Sequence, residues 1–374
     1  MILNRAIRMR IYPDDEQRHK INVTLGHCRY IYNKMLERNT VIYKRRKEHL
    51  NYYAMQNLLP EMKKYLPWLK EADSQALKHA CRQLNTAFDR FFHKTGGYPK
   101  FHTKHGKQSY TTTNTKVICV ESHRVKLPCL GWIRTPETRI PDGSICYATV
   151  SLEADNRYYV SITYKKEVPD VVPIVPKPKN VLGLDYKSNG LYTDSNGHTE
   201  DIPYFYREAQ RKRTKLQRRL SKKQGSRKGE RKSMNFMKQL RKVNRQSTHI
   251  ANQRKDYLHK LSTEIANRYD AVCVEDLDMK AISNKGFGNG KATMDNGYGM
   301  FQNMLEYKLS ERGKHFVKVD KWYPSSQICH CCGHRQPMPL KIRVYQCPEC
   351  GMVFDRDWNA AINIKLEGLR LLSA

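Results

Sequence analysis

The sequence lacks long apolar runs and is poor in acidic residues. No stretch approaches the roughly 18 apolar residues that a membrane span requires, and Met1–Arg5 has no apolar core of the kind found in signal peptides. These absences predict a cytoplasmic protein that does not enter a membrane. Only 36 Asp and Glu stand against 68 Lys and Arg, which leaves a formal net charge of +32. Because such a charge repels itself, the composition predicts a polyanionic partner, and nucleic acid is the obvious one.

The length and hydropathy of the chain limit the number of domains and the size of their cores. The 374 residues suffice for two or three domains of about 100–200 residues each. A mean hydropathy of -0.77, with 28% charged residues, indicates a large solvated surface around those cores. A ribosomal-type protein that coats RNA without chemistry has the same composition, so motifs must decide between the two.

The eleven cysteines divide into six scattered ones and a cluster near the C-terminus. Within the cluster, Cys329-x2-Cys332 and Cys347-x2-Cys350 form two pairs with fourteen residues between them. Two such pairs supply four thiolates, the closed ligand set of one structural Zn²⁺, so we expect a zinc ribbon over residues 329–350. Neighbouring side chains that could replace one of these ligands are His330, Cys331 and His334.

The first half of the chain combines strand and helix patterns. Ile7, Met9 and Ile11 alternate with Arg8 and Arg10, as in a strand with one buried and one basic face. Helical spacing dominates residues 13–105, and short β segments separated by turns follow up to residue 164. We therefore expect a β domain of residues 1–12 and 106–164, into which the helices are inserted. Within 13–105, Lys100 and Lys104 lie in a basic loop suited to a phosphate backbone.

A proline-rich segment separates this half from the next. Four prolines between residues 165 and 180 oppose regular helix and favour an extended linker. Beyond it, a very basic segment contains seventeen Lys or Arg residues between Arg207 and Arg245. We expect two basic helices joined by a loop at Gly225–Gly229, together a nucleic-acid-binding arm over 207–246, with a disordered basic tail as the alternative. A separate helix is expected at 250–269 and a mobile, lid-like loop at 284–299.

Three acidic residues follow apolar strands or begin a helix. Asp185 ends the apolar run 181–185, Glu275 ends 271–275, and Asp357 lies in Asp355-Arg356-Asp357-Trp358-Asn359. The carboxyl ends of parallel strands present ligands at one edge of a sheet. Hydrolysis of a phosphodiester uses two Mg²⁺ ions, which prefer carboxylate oxygens. The three acids are therefore candidate ligands of two catalytic magnesium ions, although each could equally be a surface turn residue.

Several short motifs, in this order, resemble the TnpB family of transposon-encoded proteins, relatives of the type V CRISPR nucleases. They are Tyr12-Pro13, Tyr98-Pro99-Lys100-Phe101, Gly183-Leu184-Asp185, Val274-Glu275-Asp276-Leu277, Tyr323-Pro324-Ser325-Ser326, and Cys347-Pro348-Glu349-Cys350-Gly351 leading into Asp355-Arg356-Asp357-x-Asn359-Ala360-Ala361. The resemblance covers nearly the whole chain. One departure is Asp185-Tyr186-Lys187, where many members have glycine two residues after the acid, so Lys187 would lie near the metals.

The resemblance implies an α+β and α/β multidomain fold. Its N-terminal part would be a β-barrel-like wedge domain with an inserted helical bundle for recognition. Its C-terminal part would be an RNase H-like RuvC nuclease domain of residues 181–328 and 351–374, interrupted by the zinc ribbon. Asp185, Glu275 and Asp357 would form the metal-binding triad. The family uses a guide RNA derived from the transposon end to cut double-stranded DNA beside a short motif.

The sequence thus predicts an RNA-guided, magnesium-dependent DNA endonuclease of a prokaryotic cytoplasm, acting as one monomer per RNA. The alternatives are a nuclease-silent RNA-guided DNA-binding protein and a guide-independent RNase H-like nuclease or transposase. The residues predicted to contact nucleic acid are Arg8, Arg10, Lys100, Lys104, Arg211, Lys212, Arg218, Arg219, Lys222, Lys223, Arg227, Arg241 and Lys242.

Overall fold

A computed structural model gives the structure of the protein, and it describes residues 2–227, 229–283, 290–339 and 341–373. The chain divides into two compact units, Met1–Pro169 and Asp170–Ala374. Each unit has its own hydrophobic core. In the part of the chain that the structure describes, no helix is long and apolar enough to cross a membrane.

The first unit contains an antiparallel sheet that begins with the predicted N-terminal strand. The strands of this unit are β1 (Ile2–Ile11), β2 (Gln108–Thr112), β3 (Cys119–Glu121), β4 (Arg124–Leu127), β5 (Gly131–Arg134), β6 (Ser144–Leu152) and β7 (Tyr158–Glu167). Four of them form the main sheet in the order β1-β7-β6-β2. Ile7, Met9 and Ile11 are buried, as the alternation predicts, and Ile7 pairs with Ile162.

The expected β-barrel-like closure is not found among the described residues. Strands β3, β4 and β5 form a separate three-stranded sheet, and one isolated bridge, Tyr12 to Arg134, connects to it. The outer strands of the main sheet, β1 and β2, do not pair with each other. Helices of this unit pack against β2.

Four helices lie between β1 and β2 in the chain: α1 (Asp15–Arg46), α2 (Tyr52–Asn57), α3 (Leu59–Tyr65) and α4 (Ser74–Phe92). Asp14 caps α1 through a capping box with Gln17, and Lys47 ends it in the left-handed conformation, with φ of 60°. The apolar stripes read from the sequence are buried between α1 and α4, including Ile21 and Leu84. These helices share one core with the main sheet.

The second unit is built on a mixed five-stranded sheet in the order β10-β9-β8-β11-β12. Its strands are β8 (Val181–Tyr186), β9 (Tyr192–Asp194), β10 (Thr199–Glu200), β11 (Ala271–Glu275) and β12 (His315–Val319). Strands β8, β11 and β12 are parallel, whereas β9 runs antiparallel to β8 and β10 runs antiparallel to β9. A hairpin turn at Ser195–Gly197 joins β9 to β10, with Gly197 at φ of +86°.

The basic segment folds as helices α5 (Phe205–Ser221) and α6 (Met234–Arg268). The prediction of a separate helix at 250–269 is wrong, because α6 continues unbroken for 35 residues from the basic arm into the core. Residues 246–249 contain neither glycine nor proline, and nothing there ends a helix. Ile250, Leu258 and Ile265 of α6 are buried, which ties the arm to the fold and argues against a disordered tail.

The remaining elements are α7 (Met279–Ile282), α8 (Gly290–Asn296), α9 (Tyr298–Ser310), β13 (Val344–Gln346), β14 (Val353–Asp355) and α10 (Arg356–Ser373). The loop expected at 284–299 contains α8 and the start of α9, so the prediction is wrong for residues 290–296 and 298–299, and residues 284–289 lie outside the described part. Strands β13 and β14 pair as a small hairpin that leads directly into α10.

Candidate catalytic and metal sites

Two of the predicted acids lie at the same end of neighbouring parallel strands. Val274 of β11 is in register with Leu184 of β8, so Glu275 and Asp185 are the next residues on the two strands. Both strands are apolar and buried up to that point, and each acid is partly buried. The carboxyl edge of a parallel pair gathers such side chains, as the sequence predicts.

Helix α10 crosses the sheet at unusually short range. A Cβ at Gly183 would clash with the carbonyl oxygen of Ala361 and lie 2.7 Å from the backbone nitrogen of Lys365. A Cβ at Gly368 would likewise clash with the Sγ of Cys273. Glycine in both elements therefore lets the helix rest directly on β8 and β11.

The first turn of α10 carries the third acid. The Asp355 carboxylate accepts hydrogen bonds from the backbone N–H groups of Asp357, at 2.9 Å, and Trp358, at 3.0 Å, and so caps the helix. The Asp357 carboxylate is not used in the cap, and it lies 3.4 Å from Nη1 of Arg343. Of the two neighbouring acids, Asp355 therefore caps the helix, whereas Asp357 forms an ion pair with Arg343.

The β9–β10 hairpin also fixes the start of α10. The indole N–H of Trp358 donates to the carbonyl oxygen of Ser195 at 3.3 Å, and its ring packs against Gly197. Ser195 in turn exchanges hydrogen bonds with the backbone of Gly183, next to the end of β8. The first turn of α10 is thus held beside the carboxyl end of β8.

The electrostatics of this region indicate that the carboxylates lie near one another. Burial raises the pKa of Asp185 well above its ordinary value, and the negative charges of Glu275, Asp357 and Asp355 raise it further. Arg356 acts in the opposite direction. Burial also raises the pKa of Glu275, partly offset by a hydrogen bond from Ser325. A group of mutually repelling, partly buried carboxylates is stabilised by bound cations, which suits oxygen-ligated Mg²⁺.

The carboxylates are more widely spaced than ligands of a single ion. Across the described ranges, only the four cysteines place three or more such ligand atoms within 4.8 Å of one another. The four cysteines therefore form a compact ligand set for one ion, whereas the three acids do not.

Sequence reasoning missed several side chains around the acids. Ser325 donates a hydrogen bond to Glu275 at 2.6 Å, and the buried Tyr298 lies close enough for Asp185 and Glu275 to raise its pKa, although burial raises it most. Ser325 belongs to the Tyr-Pro-Ser-Ser motif, which was visible in the sequence without an assigned role. Nothing in the sequence distinguished Tyr298, because an aromatic residue at the start of a helix is ordinarily a core residue.

The four predicted cysteines converge in space. The Sγ atoms of Cys329 and Cys350 lie 3.6 Å apart, and those of Cys332 and Cys347 lie 3.5 Å apart. A tetrahedral ion with Zn–S bonds of about 2.3 Å separates its sulfurs by about 3.8 Å, so the cluster fits a structural zinc. Backbone N–H groups, first that of Cys350, lower the pKa of Cys347, whereas burial and the other thiols of the cluster raise the pKa of Cys332.

Cys331 lies outside the four-cysteine group, although it belongs to the same segment. It is exposed, and its Sγ lies 3.2 Å from Nε2 of its neighbour His330. The Nδ1 of His330 lies 2.9 Å from Oδ1 of Asn359. His330 therefore contacts α10, and the four paired cysteines form the compact ligand set.

The basic residues predicted to contact nucleic acid occupy different settings. Arg8 forms an ion pair with Glu153 at 2.5 Å and stacks over Tyr159, whereas Arg10 lies over the ring of Tyr12. Lys100 and Lys104 are exposed. A shallow concavity along α5 is lined by Arg207, Gln210, Arg211, Thr214, Lys215, Arg218, Arg219 and Lys222. Also exposed are Lys212, Lys223, Arg227 and Lys242, while Arg241 is half-buried.

Three family descriptions match parts of the chain. Residues 161–285 match "Probable transposase" of the OrfB group of IS605, and residues 298–364 match "Cas12f1-like, TNB domain". Residues 1–48 match a description headed "Helix-turn-helix domain". The structure differs from that heading, because residues 2–48 contain one strand and a single 32-residue helix.

Similar proteins cover nearly the full length. A "Putative RNA-guided DNA endonuclease" of Streptomyces pristinaespiralis is 32% identical over 98% of this chain and 90% of its own. The "Putative RNA-guided DNA endonuclease InsQ" of Escherichia coli K12 is 28% identical over 98% of this chain and 93% of its own. The structure titled "Cryo-EM structure of the Cas12f1-sgRNA-target DNA complex" matches with a TM-score of 0.61 at 14% identity, over 97% of this chain and 99% of that chain. This last likeness concerns the fold.

Proposed function

The chain belongs to the TnpB family, also described as IS605 OrfB, and on that premise we propose that it is a transposon-encoded, RNA-guided endonuclease that cuts double-stranded DNA. The observation that supports the nuclease activity is the placement of Asp185, Glu275 and Asp357 on three elements that contact one another. The first two end adjacent parallel strands, and the third lies in the first turn of the helix packed on those strands. A binding protein without chemistry has no need for three mutually repelling carboxylates.

Asp185, Glu275 and Asp357 are the catalytic residues of this proposal, and they would hold two Mg²⁺ ions. When bound, such ions activate water and stabilise the leaving oxygen of a phosphodiester. The role of the protein is to hold the carboxylates in place before the ions arrive: β8 and β11 fix Asp185 and Glu275, and the Asp355 cap fixes the turn that carries Asp357. The mixed sheet β10-β9-β8-β11-β12 supports an RNase H-like, RuvC-type domain.

The partners in this proposal are a guide RNA and a target duplex with a short flanking motif. The concave basic face of α5 supports contact with a phosphate backbone, because its cations recur along one side of the helix. We assign residues 1–12 and 106–164 to a wedge domain, 13–105 to recognition, 165–180 to the linker, and 329–350 to a zinc ribbon that interrupts the nuclease domain. The protein would act in a prokaryotic cytoplasm as one monomer per RNA.

The test is cleavage by the protein purified with its co-bound RNA. Sequencing that RNA supplies the target, and a matched duplex should be cut in Mg²⁺ but not in EDTA. Asp185→Ala should abolish cutting and leave nucleic-acid affinity nearly unchanged, because the side chain is proposed to contact metal and not phosphate. Asp194→Asn is the matched control, since Asp194 is an acid of the neighbouring strand that binds its own hairpin backbone.

Each failure has a distinct meaning. Cleavage of unrelated DNA by RNA-free protein would replace the proposal with a guide-independent nuclease. Guided binding without cleavage in any divalent metal would replace it with a nuclease-silent binding protein.

A further inference from the structure

A continuous set of hydrogen bonds joins the base of the cysteine ribbon to the acid cluster. Asn363 of α10 is 2% exposed, and its Nδ2 donates to the carbonyl oxygens of Ser325 and Ile328, both at 2.7 Å. Asn359, also fully buried, donates to the same carbonyl of Ile328 at 2.7 Å. Ser325, at the other end of this segment, donates its hydroxyl proton to Oε1 of Glu275 at 2.6 Å.

These contacts link three parts of the chain, namely α10, the segment 325–328 and Glu275 at the end of β11, and we call this set of contacts the relay. Helix α10 carries Asp357 and Asn359 in its first turn and Asn363 one turn later. The asparagines hold the segment 325–328, which leads directly into Cys329. Ser325 then reaches the acid at the end of β11. One rigid helix therefore positions both Asp357 and, through Ser325, the carboxylate of Glu275.

We propose that Ser325 is a positioning residue that orients the Glu275 carboxylate for metal binding, and that Asn363 holds Ser325 in place for this task. The inference rests on the proposed function. A single donor to Oε1 fixes the rotation of the carboxylate and leaves Oε2 available to a cation. Without the hydroxyl, Glu275 would turn freely, and a bound ion would have to order it.

The loss of metal affinity on removing a hydrogen bond to a ligating carboxylate has a known order of magnitude. Removing the partner of a metal ligand typically weakens metal binding about 10- to 100-fold. The ligand itself remains after Ser325→Ala, so the expected change is weaker binding with the site still present. By contrast, Asp185→Ala removes a ligand and should eliminate the site.

The segment also contains its own control. Ser326 is adjacent, has the same side chain and is half-buried, but the bond to Glu275 comes from Ser325. Ser326→Ala therefore removes a hydroxyl at this place in the chain and keeps the hydrogen bond to Glu275. Ser325→Thr keeps a hydroxyl and tests rescue.

The experiment titrates Mn²⁺ into the full-length, zinc-loaded chain freed of nucleic acid, with free Mn²⁺ measured by electron paramagnetic resonance. Asp185→Ala provides the background. We expect Ser325→Ala to raise the Kd of the Asp185-dependent site about 10- to 100-fold, and Ser325→Thr to restore part of that affinity. Ser326→Ala should bind Mn²⁺ like the parent chain. Zinc content and RNA affinity should be unchanged in all of these variants, which shows that they fold.

Asn363→Ala extends the test to the relay. It should also raise the Kd for Mn²⁺ while one zinc remains bound, because it removes the support of Ser325 and leaves the cysteines in place. Should this variant not fold, the serine variants still decide the matter. A Kd in Ser325→Ala within twofold of the parent would overturn the inference. Equal Mn²⁺ binding by the parent and Asp185→Ala would instead show that the acids hold no metal, and the proposed function would fail.

Discussion

At the residue scale, glycines decide how closely α10 approaches the acid cluster. Gly183 lies two residues before Asp185, and the backbone of α10 occupies the space where a Cβ would lie. Gly368 has the same role on α10, where the Sγ of Cys273 on β11 occupies the space of a Cβ. These two glycines therefore let α10, which carries Asp357, pack closely on the strands that end in Asp185 and Glu275.

We predict that Gly183→Ala reduces both stability and cleavage. The added methyl must displace α10, and overpacking of this kind costs about 1–3 kcal/mol. Thermal unfolding measures the loss of stability, and the guided cleavage rate measures the displacement of Asp357. Gly97→Ala is the control, because nothing lies within 4 Å of a Cβ there. Equal melting temperatures for the two variants would contradict the close packing.

At the element scale, α6 and α9 are joined through a buried cation. Nζ of Lys308 on α9 donates to the carbonyl oxygen of His259 and to the hydroxyls of Ser262 and Thr263 on α6, at 2.6–2.7 Å. Burial lowers the pKa of Lys308 to about 8, and Arg312 adds to this effect. The contact satisfies hydrogen bonds, but it keeps a charge out of water.

This lysine predicts a specific pH dependence of stability. The unfolded chain keeps the Lys308 proton up to about pH 10.5, whereas the folded chain releases it near pH 8. Between these values the unfolded state binds more protons, so the contribution of Lys308 makes the fold more stable as pH rises. Lys308→Met should remove that increase in urea midpoint between pH 8 and 10. Lys260→Met, which alters an exposed lysine paired with Asp256, should retain it.

The ribbon offers a second prediction at this scale. Cys347→Ser should lower bound zinc from one ion per chain to none and reduce folded yield, because a closed structural site needs all four thiolates. Cys331→Ser should keep one zinc, since Cys331 lies outside the compact group. Metal analysis by mass spectrometry distinguishes these results. Loss of zinc from Cys331→Ser would show that Cys331 is one of the zinc ligands.

At the scale of the whole molecule, positive charge is the main determinant of nucleic-acid binding. A formal net charge of +32 is distributed over two units, and the α5 face concentrates part of it in one shallow concavity. Counterion release makes nucleic-acid binding depend steeply on salt, with a slope in log affinity of about 0.9 per phosphate neutralised in duplex DNA.

Replacing Arg211 and Arg218 together by alanine should therefore weaken binding to duplex DNA and flatten its salt slope by about 0.9 for each phosphate that is no longer neutralised. Fluorescence anisotropy between 50 and 400 mM salt, values chosen to span about one decade, measures both. A Lys260→Ala, Arg370→Ala double variant removes the same charge from residues already paired with acids and should leave the slope unchanged. Identical slopes for the two double variants would contradict a phosphate-binding role for α5.

Local sequence patterns predicted most helices and strands, but they failed where no helix-ending or turn-forming residue marks a boundary. The alternation in β1 and the apolar stripes of α1 and α4 predicted which residues are buried, because each pattern depends only on the period of its own element. The division of α6 into two helices was wrong, since a change in composition from basic to apolar does not end a helix. The expected barrel was wrong for a different reason: strand pairing is long-range, and period alone cannot say which edges meet.

The sequence by itself determined the family, the cysteine pairs and the three acids, because each is written in short motifs with fixed spacing. Tertiary structure alone decided that Asp355 caps α10 while Asp357 pairs with Arg343, although both acids lie in one tripeptide. It also decided that Ser325, 50 residues from Glu275, donates to it. Such contacts depend on how helix, strand and ribbon pack together, and packing is set by the space between elements that are distant in the chain.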